Sequence, residues 1–256
     1  MNNLLLNNEK AIQESIIFLK QEFEKRNKTK AILGISGGID SALAGFICKK
    51  AGLDLYIMLL PYQEKGLKES TEVANALNLP KNHITVVDIT KIIDFEIQEL
   101  QEKIELNKID KGNIMARQRM IIQYALARNL NGLVVGTENL SEYYLGYFTL
   151  YGDQACDISP ISKFFKTQVF ALAEYLNIPK SVLNKQPSAD LWEGQTDENE
   201  FGFSYRDADL IIYFSKIKRY SEEEIIREGF NQNLVDRVLK RVDDTEYKRQ
   251  ECPKLK

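Results

Sequence analysis

The richest chemistry in the sequence lies at Ser36-Gly37-Gly38-Ile39-Asp40-Ser41, immediately after the apolar run 31–35. A strand that enters two glycines and leaves as a helix gathers backbone N–H groups and the positive end of a helix dipole at one point. No side chain there keeps an anion at a distance. The hydroxyls of Ser36 and Ser41 add donors. The pattern is not GxxxxGK[ST], because the lysine of that loop is missing. Asp40 stands there instead, and a carboxylate beside phosphate oxygens requires a hard cation between them, which points to Mg²⁺. A plain strand–turn–helix corner with a capping aspartate is the alternative. Behind an apolar strand, SGGxDS favours a phosphate loop built from Gly34, Ile35, Ser36, Gly37, Gly38, Ile39, Asp40 and Ser41.

Positioning such a loop needs a sheet. Apolar runs at 31–35, 55–60, 84–89 and 133–136 read as strands. Helical spacing appears at 9–25, 40–50, 67–79, 92–106 and 114–129, with a turn expected at 110–113. Short strands alternating with helices predict an α/β fold, a doubly wound and mostly parallel sheet covered on both faces. Beyond Gly146 the pattern turns helical, at 167–176, 205–214, 222–228 and 234–247, with a polar loop at 184–200. One domain over 1–256 is expected, its core sheet within 30–165 and a helical region at 166–250.

Bulk properties exclude several classes. A net charge of −3 offers no field for nucleic acid. No run reaches the roughly 18 apolar residues of a membrane span, and the start of the chain lacks the basic, apolar layout of a secretory signal. Cys48, Cys156 and Cys252 are far apart and form no CxxC, so a reducing cytoplasm is expected rather than disulfides or zinc. The single histidine, His83, leaves no material for a histidine-based triad.

SGGIDS resembles the loop of the PP-loop ATP-pyrophosphatase superfamily, whose members adenylate a substrate oxygen with ATP. Further segments narrow the resemblance: 113–120 (NIMARQRM), 133–138 (LVVGTE), 146–149 (GYFT), 151–153 (YGD), 186–191 (QPSADL) and Lys248-Arg249. In this order, and spanning nearly the whole chain, they are similar to the ammonia-dependent NAD synthetases. The resemblance implies an adenine nucleotide α-hydrolase-like, Rossmann-like fold. It also implies that Gly34–Ser41, Thr137, Lys166 and Ser188 contact ATP and that Asp40 and Glu142 hold Mg²⁺. Arg117, Leu150, Asp157, Tyr247 and Lys248 would meet deamido-NAD.

Three departures fall on the dinucleotide side. Leu150 replaces a common lysine, Tyr247 a common histidine, and Gln154-Ala155-Cys156 a more glycine-rich stretch. The reaction implied is attack of the nicotinate carboxylate on the α-phosphorus of ATP, followed by ammonia attack on the mixed anhydride. Asp40 and Lys166 would be catalytic. Asp157 would take the proton from ammonium. The segment before Ala31 is too short for an amidotransferase domain, so free ammonia is expected as donor. Two other readings remain open: another PP-loop adenylating enzyme, such as a tRNA-modifying one, and a non-catalytic ATP sensor. The resemblance also implies a homodimer. Helix 114–127, with Met115, Met120, Ile121 and Tyr124, could serve as interface or as core.

Overall fold

Four apolar runs form a parallel sheet in the computed structural model, which describes residues 4–188, 192 and 194–255. Strand β1 (Lys30–Gly34) is central, with β2 (Asp54–Leu59) on one side and β4 (Leu133–Val134) on the other. Strand β3 (Ile84–Val86) lies outside β2, giving the order β3-β2-β1-β4. The register pairs Leu33 with Ile57 and Ala31 with Leu133. Ala31, Ile32 and Leu33 are fully buried because both faces of the sheet are covered.

Helices α1 (Asn8–Lys25), α2 (Ile39–Lys50) and α3 (Leu67–Leu77) pack on one face through a core that includes Leu19, Phe23, Leu43, Ile47 and Leu77. Helices α4 (Thr90–Gln101) and α5 (Lys108–Leu130) cover the other, against Ile32, Met58, Ile89, Ile93 and Met115. This is the doubly wound arrangement expected. A second core gathers α6 (Leu140–Leu145), α10 (Tyr205–Ile212), α11 (Glu222–Arg227) and α12 (Gln232–Asp244). Helix α7 (Lys166–Tyr175) ties it to the sheet by packing on α2 as well as α10. Two short helices, α8 (Lys180–Leu183) and α9 (Asp197–Phe201), complete the set among the described residues.

Several local expectations are corrected. The turn expected at 110–113 lies inside α5, because Asn107 caps the helix and Asp110 completes a capping box with it. Strand β3 stops at Val86, although the N–H groups of Val87 and Ile89 still donate to Leu59 O and Pro61 O, each at 3.0 Å. The fourth strand is two residues long and continues only as a Val135–Ile158 bridge. The loop expected at 184–200 contains the start of α9, and α12 is followed by a 3₁₀ turn at Glu246–Arg249. Residues 189–191 of the QPSADL segment lie outside the described residues.

Chain connections run from β1 outward to β2 and β3 and then cross to β4 on the other side. The C-terminal ends of β1 and β4 therefore flank the switch point where open α/β sheets bind ligands.

Candidate active site

The loop after β1 is held from three sides. Gly34 N donates to Gln123 Oε1 of α5 at 2.9 Å. Ser36 N donates to Ser41 Oγ (3.2 Å), Gly38 N to Ser36 Oγ (3.2 Å), and Ser41 Oγ to Gly38 O (3.0 Å). Gly37 has φ +80°, and a Cβ there would stand 2.8 Å from Glu69 Cβ and 2.9 Å from Ser70 N of α3. Glycine is thus required both by the left-handed backbone and by the close approach of α3. Helix α2 starts after Gly38 with no side-chain cap, which leaves the N–H groups of its first turn available to an anion. Helix α7 shows the opposite. Its Lys166 N–H goes to Ser141 Oγ (2.7 Å) and its Thr167 N–H to Asp209 Oδ2 (2.9 Å).

Lys166 opens α7 but sends its side chain back to the loop. Nζ donates to Asp40 Oδ2 at 2.6 Å and to Glu142 Oε1 at 2.9 Å, and Lys166 is only 3 % exposed. Asp40 and Lys166 are 126 residues apart in sequence, so the contact is set by the packing of α2 on α7. Asn139 joins the group by donating from Nδ2 to Asp40 Oδ1 at 2.8 Å. The same asparagine caps α6: its Oδ1 accepts from Glu142 N (3.0 Å), while Glu142 Oε2 accepts from Asn139 N (3.2 Å). One capping box thereby orients both carboxylates.

Burial and the neighbouring Asp40 carboxylate push Glu142 up to about 8, against the pull of Lys166 and of its bond from Asn139. Burial alone would favour neutral Lys166, but Asp40 and Glu142 more than offset it and raise its pKa. Two hard carboxylates converging beside open N–H groups fit a divalent cation that shares its coordination with phosphate oxygens. Among the described residues no cluster of three His, Cys, Asp or Glu side chains could hold a metal with protein ligands alone.

The other expected residues divide. Thr137 follows β4 and is half-buried at the same sheet end. Ser188 is half-buried in the segment between α8 and α9, next to Pro187, whose O accepts from Asp197 N at 3.0 Å. Asp157 is exposed beside β4, and its Oδ2 accepts from Val134 N (2.8 Å) while Tyr124 Oη reaches Oδ1 at 3.4 Å. Exposed Arg117 donates from Nε to Leu150 O at 3.2 Å. Tyr247 is 64 % exposed. Lys248 is turned inward, donating to Gly146 O (2.7 Å) and Phe148 O (2.6 Å), and burial lowers its pKa. In the helix 114–127, Met115 belongs to the core, Met120 and Tyr124 are half-buried, and Ile121 is 53 % exposed.

The NAD synthase family model matches residues 11–252. The chain belongs to the NAD synthase family. It is 39 % identical to the NH₃-dependent NAD⁺ synthetase of Fusobacterium nucleatum over 97 % of this chain and 96 % of that protein. Among solved structures it is similar to NMN synthetase from Francisella tularensis (TM-score 0.86, 30 % identity, 98 % of this chain and 99 % of that one). It is also similar to the NH₃-dependent NAD synthetase of Campylobacter jejuni in complex with nitrate (0.82, 28 %, 98 % and 100 %). Membership of the NAD synthase family makes the chain a ligase.

Within this NAD synthase fold, sequence reasoning overlooked Asn139, Gln123, Glu138, Asp197 and Tyr205. Asn139 was readable, since Asn139 and Glu142 have the N-cap and third-position spacing of a capping box. Glu138 has a buried Oε1 with no partner among the described residues, and burial with nearby Asp153 lifts it to about 8. It closes the LVVGTE segment at 133–138, but no role is assigned to it there. Asp197 and Tyr205 lie beside Lys166 only through the fold.

Proposed function

We propose that this chain amidates the nicotinate carboxylate of deamido-NAD with ammonia at the expense of ATP, giving NAD, AMP and pyrophosphate. The observation that carries the reading is Lys166, buried between Asp40 and Glu142 at the open end of α2. Gly34, Ile35, Ser36, Gly37, Gly38, Ile39, Asp40 and Ser41 receive the triphosphate, with Thr137 and Ser188 as further ATP contacts. Asp40 and Glu142 hold Mg²⁺, which when bound offsets negative charge on the phosphates. Lys166 neutralises charge that develops as pyrophosphate departs.

The attacking carboxylate is ionised at neutral pH and needs no base. Ammonium does need one, and Asp157 is assigned to take its proton. Arg117, Leu150, Asp157, Tyr247 and Lys248 border the dinucleotide. Ammonia as donor is supported by the NH₃-dependent relatives. We assign the reaction to the whole of 1–256 acting as one domain, in a reducing cytoplasm and as a homodimer. Exposed Phe95, Ile109 and Ile121 on α4 and α5 support a partner surface. No helix among the described residues is long and apolar enough to cross a membrane.

Incubation with deamido-NAD, Mg·ATP and ammonium chloride, with glutamine in parallel, tests the reading. Equal yields of NAD, AMP and pyrophosphate with ammonium alone are expected. Absence of ATP cleavage in folded, magnesium-loaded protein overturns it.

A second reading is favoured by Leu150. It presents no charge to a substrate phosphate, and Lys248 is committed to carbonyls of its own chain. With fewer cations for a dinucleotide, this set of residues suits nicotinate mononucleotide, in line with the similarity to the NMN synthetase of Francisella tularensis. Parallel kcat/KM measurements on the two substrates decide between them.

A further inference from the structure

Lys166 has a third acidic neighbour that the reaction as described does not use. Asp197, at the start of α9, is 2 % exposed. Its Oδ2 accepts from Tyr205 Oη at 2.8 Å. The Tyr147 phenol stands near the same carboxylate, but its hydroxyl donates to Glu200 Oε1 (3.2 Å), and among the described residues Asp197 Oδ1 accepts no hydrogen bond. Burial raises its pKa and the Lys166 ammonium pulls it back down. Tyr205 completes the wall: it is 4 % exposed, and Lys166 Nζ lies 5.3 Å from its ring centroid, within cation–π range.

A carboxylate oxygen buried without a partner is costly, and native structures keep such groups where another state uses them. The charge count shows which state. In the structure Lys166 already has Asp40 and Glu142 as partners, and with Asp197 three ionised carboxylates face one ammonium, an excess of two negative charges. A divalent cation taking both of those carboxylates would deprive Lys166 of its acceptors and add repulsion. A buried ammonium left without a counter-charge is strongly unfavourable. With Asp197 present, three carboxylates balance one ammonium and one divalent cation.

We propose that Asp197, held by the Tyr205 hydroxyl, is the positioning residue that keeps Lys166 in place when a magnesium nucleotide engages Asp40 and Glu142. The proposal rests on the reading of that site as a magnesium–ATP site.

Asp197→Asn, Asp197→Glu and Tyr205→Phe separate it from a merely structural role. Binding of Mg²⁺ with a non-cleavable ATP analogue is measured by calorimetry, alongside thermal melting of the metal-free protein. Asp197→Asn should weaken binding at least about 10-fold, as expected for an uncompensated buried charge. Its metal-free melting temperature should be unchanged or higher, because a surplus buried anion has gone. Asp197→Glu should recover part of the binding, and Tyr205→Phe, which keeps the ring and loses the anchor, should fall between. Wild-type-like binding by Asp197→Asn overturns the proposal, and so does a lower metal-free melting temperature with unaltered binding in Tyr205→Phe. Wild-type protein that binds no magnesium nucleotide removes the site reading itself, and the proposal with it.

Discussion

Asn139 holds Asp40 with one end of its amide and caps α6 with the other: Nδ2 donates to Asp40 Oδ1 at 2.8 Å while Oδ1 accepts from Glu142 N at 3.0 Å. A helix cap is here also a carboxylate support, and the two roles can be pulled apart. Asn139→Ala should cost about 1 kcal/mol of stability from the lost cap and lower turnover about 10-fold through the lost bond to Asp40. Asn139→Ser restores an acceptor for the cap but offers no amide to Asp40. It should melt near wild type and remain slow. Equal recovery of both properties would show that Asp40 does not need this bond.

Asp40→Ala should reduce turnover at least ~10²-fold, the scale of losing one major electrostatic group in a site of this kind. Steady-state rates at saturating ATP check this. A variant within a few-fold of wild type would remove Asp40 from the chemistry.

Glu138 gives a pH prediction. Its carboxyl is pushed from 4.5 up to about 8 by burial and Asp153, so the folded state favours the protonated form. The stability this group confers is present below pH 4.5 and is lost as pH rises through about 8. Glu138→Gln should flatten that decline, raising the melting temperature at pH 8.5 by about 2 °C or more and changing little at pH 4.5. Parallel declines in both proteins would place the titration elsewhere.

Leu150→Lys restores a cation where Arg117 Nε meets the Leu150 carbonyl. It should lower KM for deamido-NAD up to about 10-fold while leaving KM for ATP unchanged, as a single added charge–phosphate contact would. An effect on ATP alone would relocate residue 150 to the nucleotide side.

Asp157→Asn addresses the assigned base. If Asp157 accepts the ammonium proton, the variant should lower kcat with ammonium at least ~10²-fold while KM for deamido-NAD changes little. A change in KM for deamido-NAD with kcat intact would leave only a binding role, consistent with the bond from Val134 N that already occupies Oδ2.

Much of the fold could be read from the chain because its signals are local. The runs that became β1 and β2, and the helix start at Asp40, follow from apolar spacing and from two glycines. Misreadings arose where local signals compete. Gly112 and Asn113 look like a turn, yet Asn107 caps α5 ahead of them and Gly112 is buried inside the helix. Helix α9 is polar, and it forms where Asp197 and Phe201 are buried against other elements. The site shows the same division. The loop announces itself, whereas the bond from Lys166 to Asp40 and the wall made by Asp197 and Tyr205 exist only after α7, α9 and α10 have packed.

Arg249 and Lys248 donate to Tyr144 O (2.8 Å), Gly146 O and Phe148 O at the end of the helix that carries Glu142. Thr245 fills the space at Gly146, where a Cβ would lie 2.3 Å from its own. Synthesis proceeds from the N-terminus, so Gly146 emerges 102 residues before Lys248. Until that late turn arrives, the carbonyls of Tyr144, Gly146 and Phe148 lack these donors, and among the described residues only the bond from Arg241 Nε to Leu145 O, at 3.1 Å, reaches the end of α6 from the C-terminal region. A chain clipped ahead of residue 246 would lose the Lys248 and Arg249 contacts that brace the segment after Glu142.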